Sequence, residues 1–211
     1  RKEIKDNVVL ITGALRREFS DNNFKIYNSL YLLNKDELFV YDKKKLVPFG
    51  EFVPLRKLLK FTKLTQGSTD FSKGLNKKRI NLNIDGEIFF VEPSICYEAI
   101  FQSFVRYKPH LFVNITNDAW FGTTIGPKQH LAASIYRAIE KGTPLIRSAN
   151  SGISVIANLN GKILKKIDLQ KTGHIDVKLS TNNNETFFMK FKNYTLVLII
   201  SLLAIISLMS D

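Results

Sequence analysis

Hydrophobic and polar positions alternate along the first third of the chain in a way that predicts strands. "NVVLITGAL" (7 to 15), "KIYNSLYLL" (25 to 33) and "ELFVYDK" (37 to 43) are short runs rich in Val, Ile, Tyr and Phe, divided by polar punctuation. Between 55 and 79 the pattern fails: isolated apolar residues (Leu58, Leu59, Phe61, Leu64, Phe71) sit in a basic, Gly/Ser/Thr-containing stretch with no sustained period. A long mobile loop is expected there, and loops of that length in compact domains often act as lids. From residue 87 the segments "EIFFVEPSICYE", "AIFQSFVRY", "HLFVNITN", "PKQHLAASIYRAIEKG" and "TPLIRSAN" read as strand, helix, strand, helix, strand, which predicts α/β layering. Pro127 and Gly142 are the expected start and stop residues of the second helix. "GISVIANLNGKILKKID" carries a hairpin signal at Asn160-Gly161, and "GHIDVKLS" is expected to continue the antiparallel strands. Polar residues 181 to 193 then lead to "YTLVLIISLLAIISLM" (194 to 209), which has no charge and no polar stripe. That stretch is a little short of the roughly 20 residues that span a hydrocarbon core, yet its all-round apolar surface predicts a transmembrane helix rather than an amphipathic one. The expected organisation is therefore a domain over 1–180, a linker over 181–193 and a membrane helix over 194–209.

Composition narrows the chemistry. A chain of 211 residues, 45% hydrophobic, can bury one sizeable core. The 31 Lys and Arg against 19 Asp and Glu give a formal charge of +12, so an anionic membrane surface or a nucleic acid has to be considered as partner. The basic residues are scattered through loops without a helix-turn-helix, zinc-finger or RNA-binding signature, and no nucleic acid is expected. The single cysteine, Cys96, and three histidines (His110, His130, His174) lack the spacing of a metal set, so neither metal nor cofactor is expected.

Cys96 lies where a strand gives way to a helix, a place where backbone amides would favour a thiolate and a developing oxyanion. Taken alone, a lone cysteine is more simply a small buried hydrophobe. Its neighbours point further. Tyr97 and Glu98 follow it, Asn117 and Asp118 end the next strand, and Lys43 ends an earlier one before "LVPFGEFVP", so these groups would gather on one edge of a sheet.

The segments "YDKKKLVPFGEFVPL" (41 to 55), "SICYEAIF" (94 to 101) and "NITNDAWFGTTIGPKQHLAASIYRAIEKGTPLIRSANSGIS" (114 to 154) resemble the nitrilase-type domain of bacterial apolipoprotein N-acyltransferases. "VPFGE", "ICYE" and "NDAWFG" in this order form a specific combination, and the likeness runs over most of the chain. The resemblance implies an αββα sandwich, here incomplete at the N-terminus, followed by a transmembrane helix. It also implies a Glu-Lys-Cys triad that takes an acyl chain from a phospholipid and passes it to the N-terminal amine of an apolipoprotein. On that basis Cys96 is the nucleophile, Lys43 the catalytic lysine, Glu51 a further required glutamate, and Tyr97 and Glu98 supporting residues. Asn117, Asp118, Trp120 and Phe121 would line the pocket. The triad's glutamate would belong upstream of "VVLITGAL", since neither Glu3 nor Glu18 sits in a matching motif, and without it the 211 residues alone are expected to be inactive, as a piece of a longer protein or a truncated remnant. The resemblance places the domain on the periplasmic face of the inner membrane, whereas Lys190 and Lys192 beside the apolar stretch would by charge favour the cytoplasmic side. Two other readings stay open: a soluble carbon-nitrogen hydrolase acting on an amide or nitrile, and a non-catalytic remnant.

Overall fold

A computed structural model of the chain describes residues 4, 5, 8–20, 23–55, 69–75, 79–84, 86–102, 107–192 and 194–209. Three strands, β1 (Leu10–Ser20), β2 (Asn23–Leu33) and β3 (Leu38–Asp42), form an antiparallel sheet in that order, in the places where the alternation predicts strands. A second sheet has six strands: β4 (Ile80–Ile84), β5 (Glu87–Ile95), β6 (Leu111–Asn117), β7 (Leu145–Asn150), β8 (Ser154–Ala157) and β9 (Ile163–Ile167). Its centre, β5-β6-β7, is parallel and its flanks are antiparallel. The stretches Val91–Ile95 of β5 and Phe112–Asn114 of β6 are buried because both faces of the sheet's centre are covered.

One face of the second sheet meets the first sheet: Leu30, Leu32 and Tyr41 pack with Ile80, Leu82, Val91, Ile95 and Val113. The opposite face is covered by α1 (Gly126–Lys141), through Leu131 and Ala138 against Phe112, Leu145, Val155 and Ala157. The described residues thus show a nitrilase-like α/β arrangement of sheet, sheet and helix; a second helical layer is not among them. Pro127 opens α1, and Gly142, with φ of 58°, closes it in the left-handed conformation that glycine adopts without a Cβ penalty. The Asn160-Gly161 turn joins β8 to β9, with Asn158 Oδ1 accepting from the amides of Asn160 and Lys162.

Four expectations need correction. Strand β4 was not foreseen, because its five residues follow directly on a polar stretch. Of the helix expected from "AIFQSFVRY" (99 to 107), Ala99 and Ile100 belong to a five-residue 3-10 turn, Cys96–Ile100, that begins at the cysteine itself, and residues 103–106 lie outside the described residues. "GHIDVKLS" keeps its period-two exposure, with Ile175, Val177 and Leu179 half-buried, but pairs with no described strand and forms none. Within the linker, Phe187–Phe191 forms a short helix, α2, whose cap Thr186 accepts from the Met189 amide and donates to the Glu140 carbonyl at the end of α1.

The last helix, α3 (Tyr194–Met209), has 16 residues. At about 1.5 Å per residue it reaches roughly 24 Å, against about 30 Å of hydrocarbon core. Among the described residues no helix is long and apolar enough to cross a membrane, so the expected transmembrane span is not met in length. Its side chains, among them Leu198, Leu203 and Met209, are exposed and cover no core.

Candidate active site

Lys43 follows the last residue of β3, and its side chain is 1% exposed. A run of three lysines reads as a solvated edge, and the difference lies in Glu51, eight residues on. Lys43 Nζ donates to Glu51 Oε1 at 2.9 Å and Oε2 at 2.8 Å. The same carboxylate accepts from Asn28 Nδ2 (3.1 Å) and from the Val47 amide (2.8 Å), so a loop beginning at Lys43 is folded back over its own ion pair. Burying an ammonium this completely is tolerated only because a carboxylate, itself saturated with donors, faces it.

The end of the 55–79 stretch holds this loop down. Amides of Phe71, Ser72 and Gly74 donate to the carbonyls of Glu51, Ile26 and Lys43 at 2.7–2.8 Å. Residues 56–68, which carry most of the expected lid, lie outside the described residues. Gly74 has no room for a side chain, since a Cβ would sit 2.1 Å from the Asp42 carbonyl oxygen, one residue before Lys43. Gly74→Ala is therefore expected to push the Asp42–Lys43 backbone aside and destabilise the fold by about 1–3 kcal/mol, read as a lowered denaturation midpoint.

Cys96 follows the last residue of β5 in a half-buried position with φ of 49°, the left-handed region that costs a residue with a Cβ about 1–2 kcal/mol. The chain turns sharply there and lifts the thiol out of the strand direction. Glu98, 2% exposed, ties this elbow to the lysine loop. Its Oε1 accepts from Tyr41 Oη (2.8 Å) and from the amides of Lys44 (2.8 Å) and Lys45 (3.3 Å), while Oε2 accepts from the Ile95 amide (2.9 Å). Burial, reinforced by the Glu98 charge, raises the Tyr41 phenol far above its ordinary value, so it remains a donor. Tyr97 is half-buried and packs edge-on against Phe101.

Behind the elbow lies a buried polar cluster of which the sequence reading singled out only Asp118. His130, on the inner face of α1, places Nε2 at 3.0 Å from the Cys96 carbonyl oxygen and Nδ1 at 2.9 Å from Asp118 Oδ1. Arg147 of β7 donates through Nη2 to Asp118 Oδ2 at 2.7 Å, and through Nη1 to Ser134 Oγ at 3.0 Å and to Asn114 Oδ1. Signals for it were present: His130, Ser134 and Ala138 share one helical face, and Arg147 interrupts an apolar strand. Burial lowers the Arg147 guanidinium, opposed chiefly by the charge and hydrogen bond of Asp118. The Arg147 charge is met by Asp118 at 2.7 Å, and the five-residue turn at Cys96 supplies little dipole of its own.

Asp118 is accordingly not on an open wall but 1% exposed within this cluster. Asn117 is exposed, accepting from the Ala119 amide and Asn150 Nδ2. Trp120 is 66% exposed, and the Phe121 ring stands edge-on to His130. Burial alone would raise the Asp118 carboxyl, but the His130 hydrogen bond and the Arg147 charge outweigh it and hold the group below its ordinary 3.8. A depressed carboxyl contributes stability that is complete above its unfolded value and is lost as pH falls through the folded one. Asp118→Asn is thus expected to melt below the unaltered protein at neutral pH, with the gap closing in acid below about pH 4; thermal melts across that range check it.

Two packed sheets with their polar side chains gathered where β3, β5 and β6 end define a nitrilase-like protein with a thiol at the site. The chain belongs to the carbon-nitrogen hydrolase family, whose model matches residues 5–184. It is 39% identical over 221 residues to the apolipoprotein N-acyltransferase of Rickettsia prowazekii, an alignment covering 95% of this chain and 41% of that protein. The protein of the same name from Rhodopseudomonas palustris is 35% identical, over 95% of this chain and 39% of its own length. The chain therefore spans about two fifths of the length of these relatives. Among solved structures, a carbon-nitrogen hydrolase from Helicobacter pylori superposes with a TM-score of 0.57 at 13% identity, covering 79% of this chain and 60% of that one. An amidase from Nesterenkonia sp. gives 0.51 at 19%, covering 77% and 58%. At these identities the likeness shows the fold.

Proposed function

We propose that the chain is the catalytic part of an enzyme that moves a fatty acyl group from a phospholipid to the N-terminal amine of a diacylglyceryl-cysteine in an apolipoprotein, through a thioester on Cys96. One observation carries the reading: a cysteine at a left-handed elbow is tied through Glu98 to the loop that buries Lys43 against Glu51. The Cys96 thiolate attacks the ester carbonyl, and the Lys43 ammonium stabilises the oxyanion that forms. The ester C–O bond then breaks, and a lysophospholipid leaves as the alcohol after taking a proton. In the second half the acceptor amine attacks the thioester, the C–S bond breaks as the amine's proton passes to the departing sulfur, and an amide and the free thiol remain. Glu51 holds the lysine, Glu98 and Tyr97 support the elbow, and Asn117, Trp120 and Phe121 border the entrance. The base that takes the thiol proton is assigned to no residue of this chain, and no cofactor enters the scheme.

A lipid donor is favoured over a small amide by the surroundings. Leu15, Phe19 and Phe24 on the β1–β2 hairpin beyond Asn28, Phe49 and Leu55 after Lys43, and Trp120 after β6 are all exposed at the end of the sheets that carries the site. Such apolar side chains mark a surface that meets lipid or protein. In this reading the domain lies on the periplasmic face of a bacterial inner membrane, with α3 as an apolar anchor and the +12 charge drawing it to anionic headgroups. The test is to incubate the protein, purified with its membrane, with phosphatidylethanolamine vesicles. An added acyl mass on Cys96 that hydroxylamine removes, and that chases onto a diacylglyceryl-cysteine peptide, is the expected result. Release of ammonia from a small amide without any acyl adduct would replace the reading with an amidase.

A further inference from the structure

We propose that His130 is a positioning residue, holding the Cys96 peptide in its left-handed conformation by donating Nε2–H to the Cys96 carbonyl. Cys96 enters as the nucleophile of the acyl transfer proposed above, and the decisive measurements below read its thiol without requiring acyl transfer.

A residue other than glycine stays at φ of 49° only where its surroundings over-determine it. On the strand side the Ile95 amide is fixed by Glu98, and on the far side the Cys96 carbonyl is met by His130. Without the second restraint the peptide between Cys96 and Tyr97 is free to rotate toward the ordinary region and carry the thiol with it. His130 itself is not free to follow. Its ring is anchored at Nδ1 by Asp118, whose other oxygen is gripped by Arg147, while Thr116 Oγ1 donates to the first at 2.9 Å. Gly152, in the turn before β8, packs closely on Asp118, since a Cβ there would lie 2.5 Å from Oδ2.

Histidine suits this place because it is a short rigid spacer with a polar atom at each end. One end lies 2.9 Å from a carboxylate and the other 3.0 Å from a carbonyl, and since a carbonyl can only accept, the Nε2 contact is a hydrogen bond when Nε2 carries the proton. Arg147 Nη2 lies 3.3 Å from Nδ1, Phe121 stands across the ring, and Asp118 is the anion in contact among the described residues. Asp118, gripped by Arg147, holds the histidine ring, and the histidine meets the Cys96 carbonyl.

Cys96 is the single cysteine of the chain, so its alkylation by iodoacetamide reports one site. His130→Met, which keeps the bulk but donates nothing, is expected to change the thiol's presentation enough to slow alkylation about tenfold, as sub-ångström to ångström displacements of a reacting group do. His130→Gln, which still reaches and donates, is expected to recover most of the rate at a similar thermal midpoint, and a merely structural side chain would show no such rescue. In the unaltered protein, a ¹⁵N-histidine spectrum assigned with His130→Gln should show Nε2 bearing its proton. An Nε2 without a proton, or a folded His130→Met that alkylates at the wild-type rate, overturns the proposal. Should the Met variant fail to fold, the nitrogen spectrum and the Gln rate decide. If the alkylation pattern appears but phospholipid vesicles leave no acyl adduct, the acyltransferase reading falls while the positioning role stands.

Discussion

Cys96→Ala is expected to lower acyl transfer by roughly 10⁴–10⁶-fold, the scale on which losing a covalent nucleophile reads out, while the protein still folds. The thiol is half-buried at the edge of the core, so its loss opens little space. The backbone restraints on both sides, Glu98 on the Ile95 amide and His130 on the Cys96 carbonyl, are made without the side chain. Alanine inherits the same left-handed strain, and Cys96→Gly does not; the glycine variant is expected to exceed the alanine variant in stability by about 1 kcal/mol. That ordering separates two roles of one position. Both variants should lose the hydroxylamine-sensitive acyl adduct, and only the glycine variant should gain in denaturation midpoint. An acyl adduct that survives in Cys96→Ala would move the nucleophile elsewhere, and since the chain has no other cysteine it would make the intermediate something other than a thioester.

The sequence carried the parts of this architecture that depend on local period. Strands β1, β2 and β3 follow from alternation, and α1 follows from its apolar face between Pro127 and Gly142. The β8–β9 hairpin follows from Asn160-Gly161. What local period cannot carry is any feature decided by a distant partner. Lys43, Lys44 and Lys45 are alike in sequence, yet Lys43 is buried, Lys44 half-buried and Lys45 exposed, because only the first meets Glu51. Motif resemblance, not periodicity, singled it out. His130 and Arg147 escaped for the complementary reason: each is a polar residue among others in a regular element, and their shared partner Asp118 comes from outside both. β4 escaped although Asp85-Gly86 is a hairpin signal, because five residues bounded by a basic loop give too short a pattern to weigh. The turn after Cys96 is a matter of backbone strain, which composition does not record.

Lys43→Met is expected to act on stability and chemistry at once, and the two effects can be pulled apart. Removing the ammonium leaves Glu51, 8% exposed, as a buried carboxylate whose remaining partners are Asn28 and the Val47 amide. Breaking a buried ion pair from one side costs about 3–5 kcal/mol, because the surviving charge has neither water nor counter-ion. Adding Glu51→Gln removes that charge, keeps a side chain of the same length for the Val47 amide, and is expected to restore most of the lost stability. Activity should not return with it. In the proposed scheme the lysine stabilises the oxyanion, and loss of one such donor costs about 10²–10³-fold in rate. The double variant would therefore be stable and inactive, the single variant unstable and inactive, and Glu51→Gln alone would retain a lysine that is less firmly held. Urea midpoints set beside single-turnover acylation of Cys96 distinguish these outcomes. A double variant that regains both stability and acylation would make Lys43 a purely structural cation and assign the oxyanion to other donors.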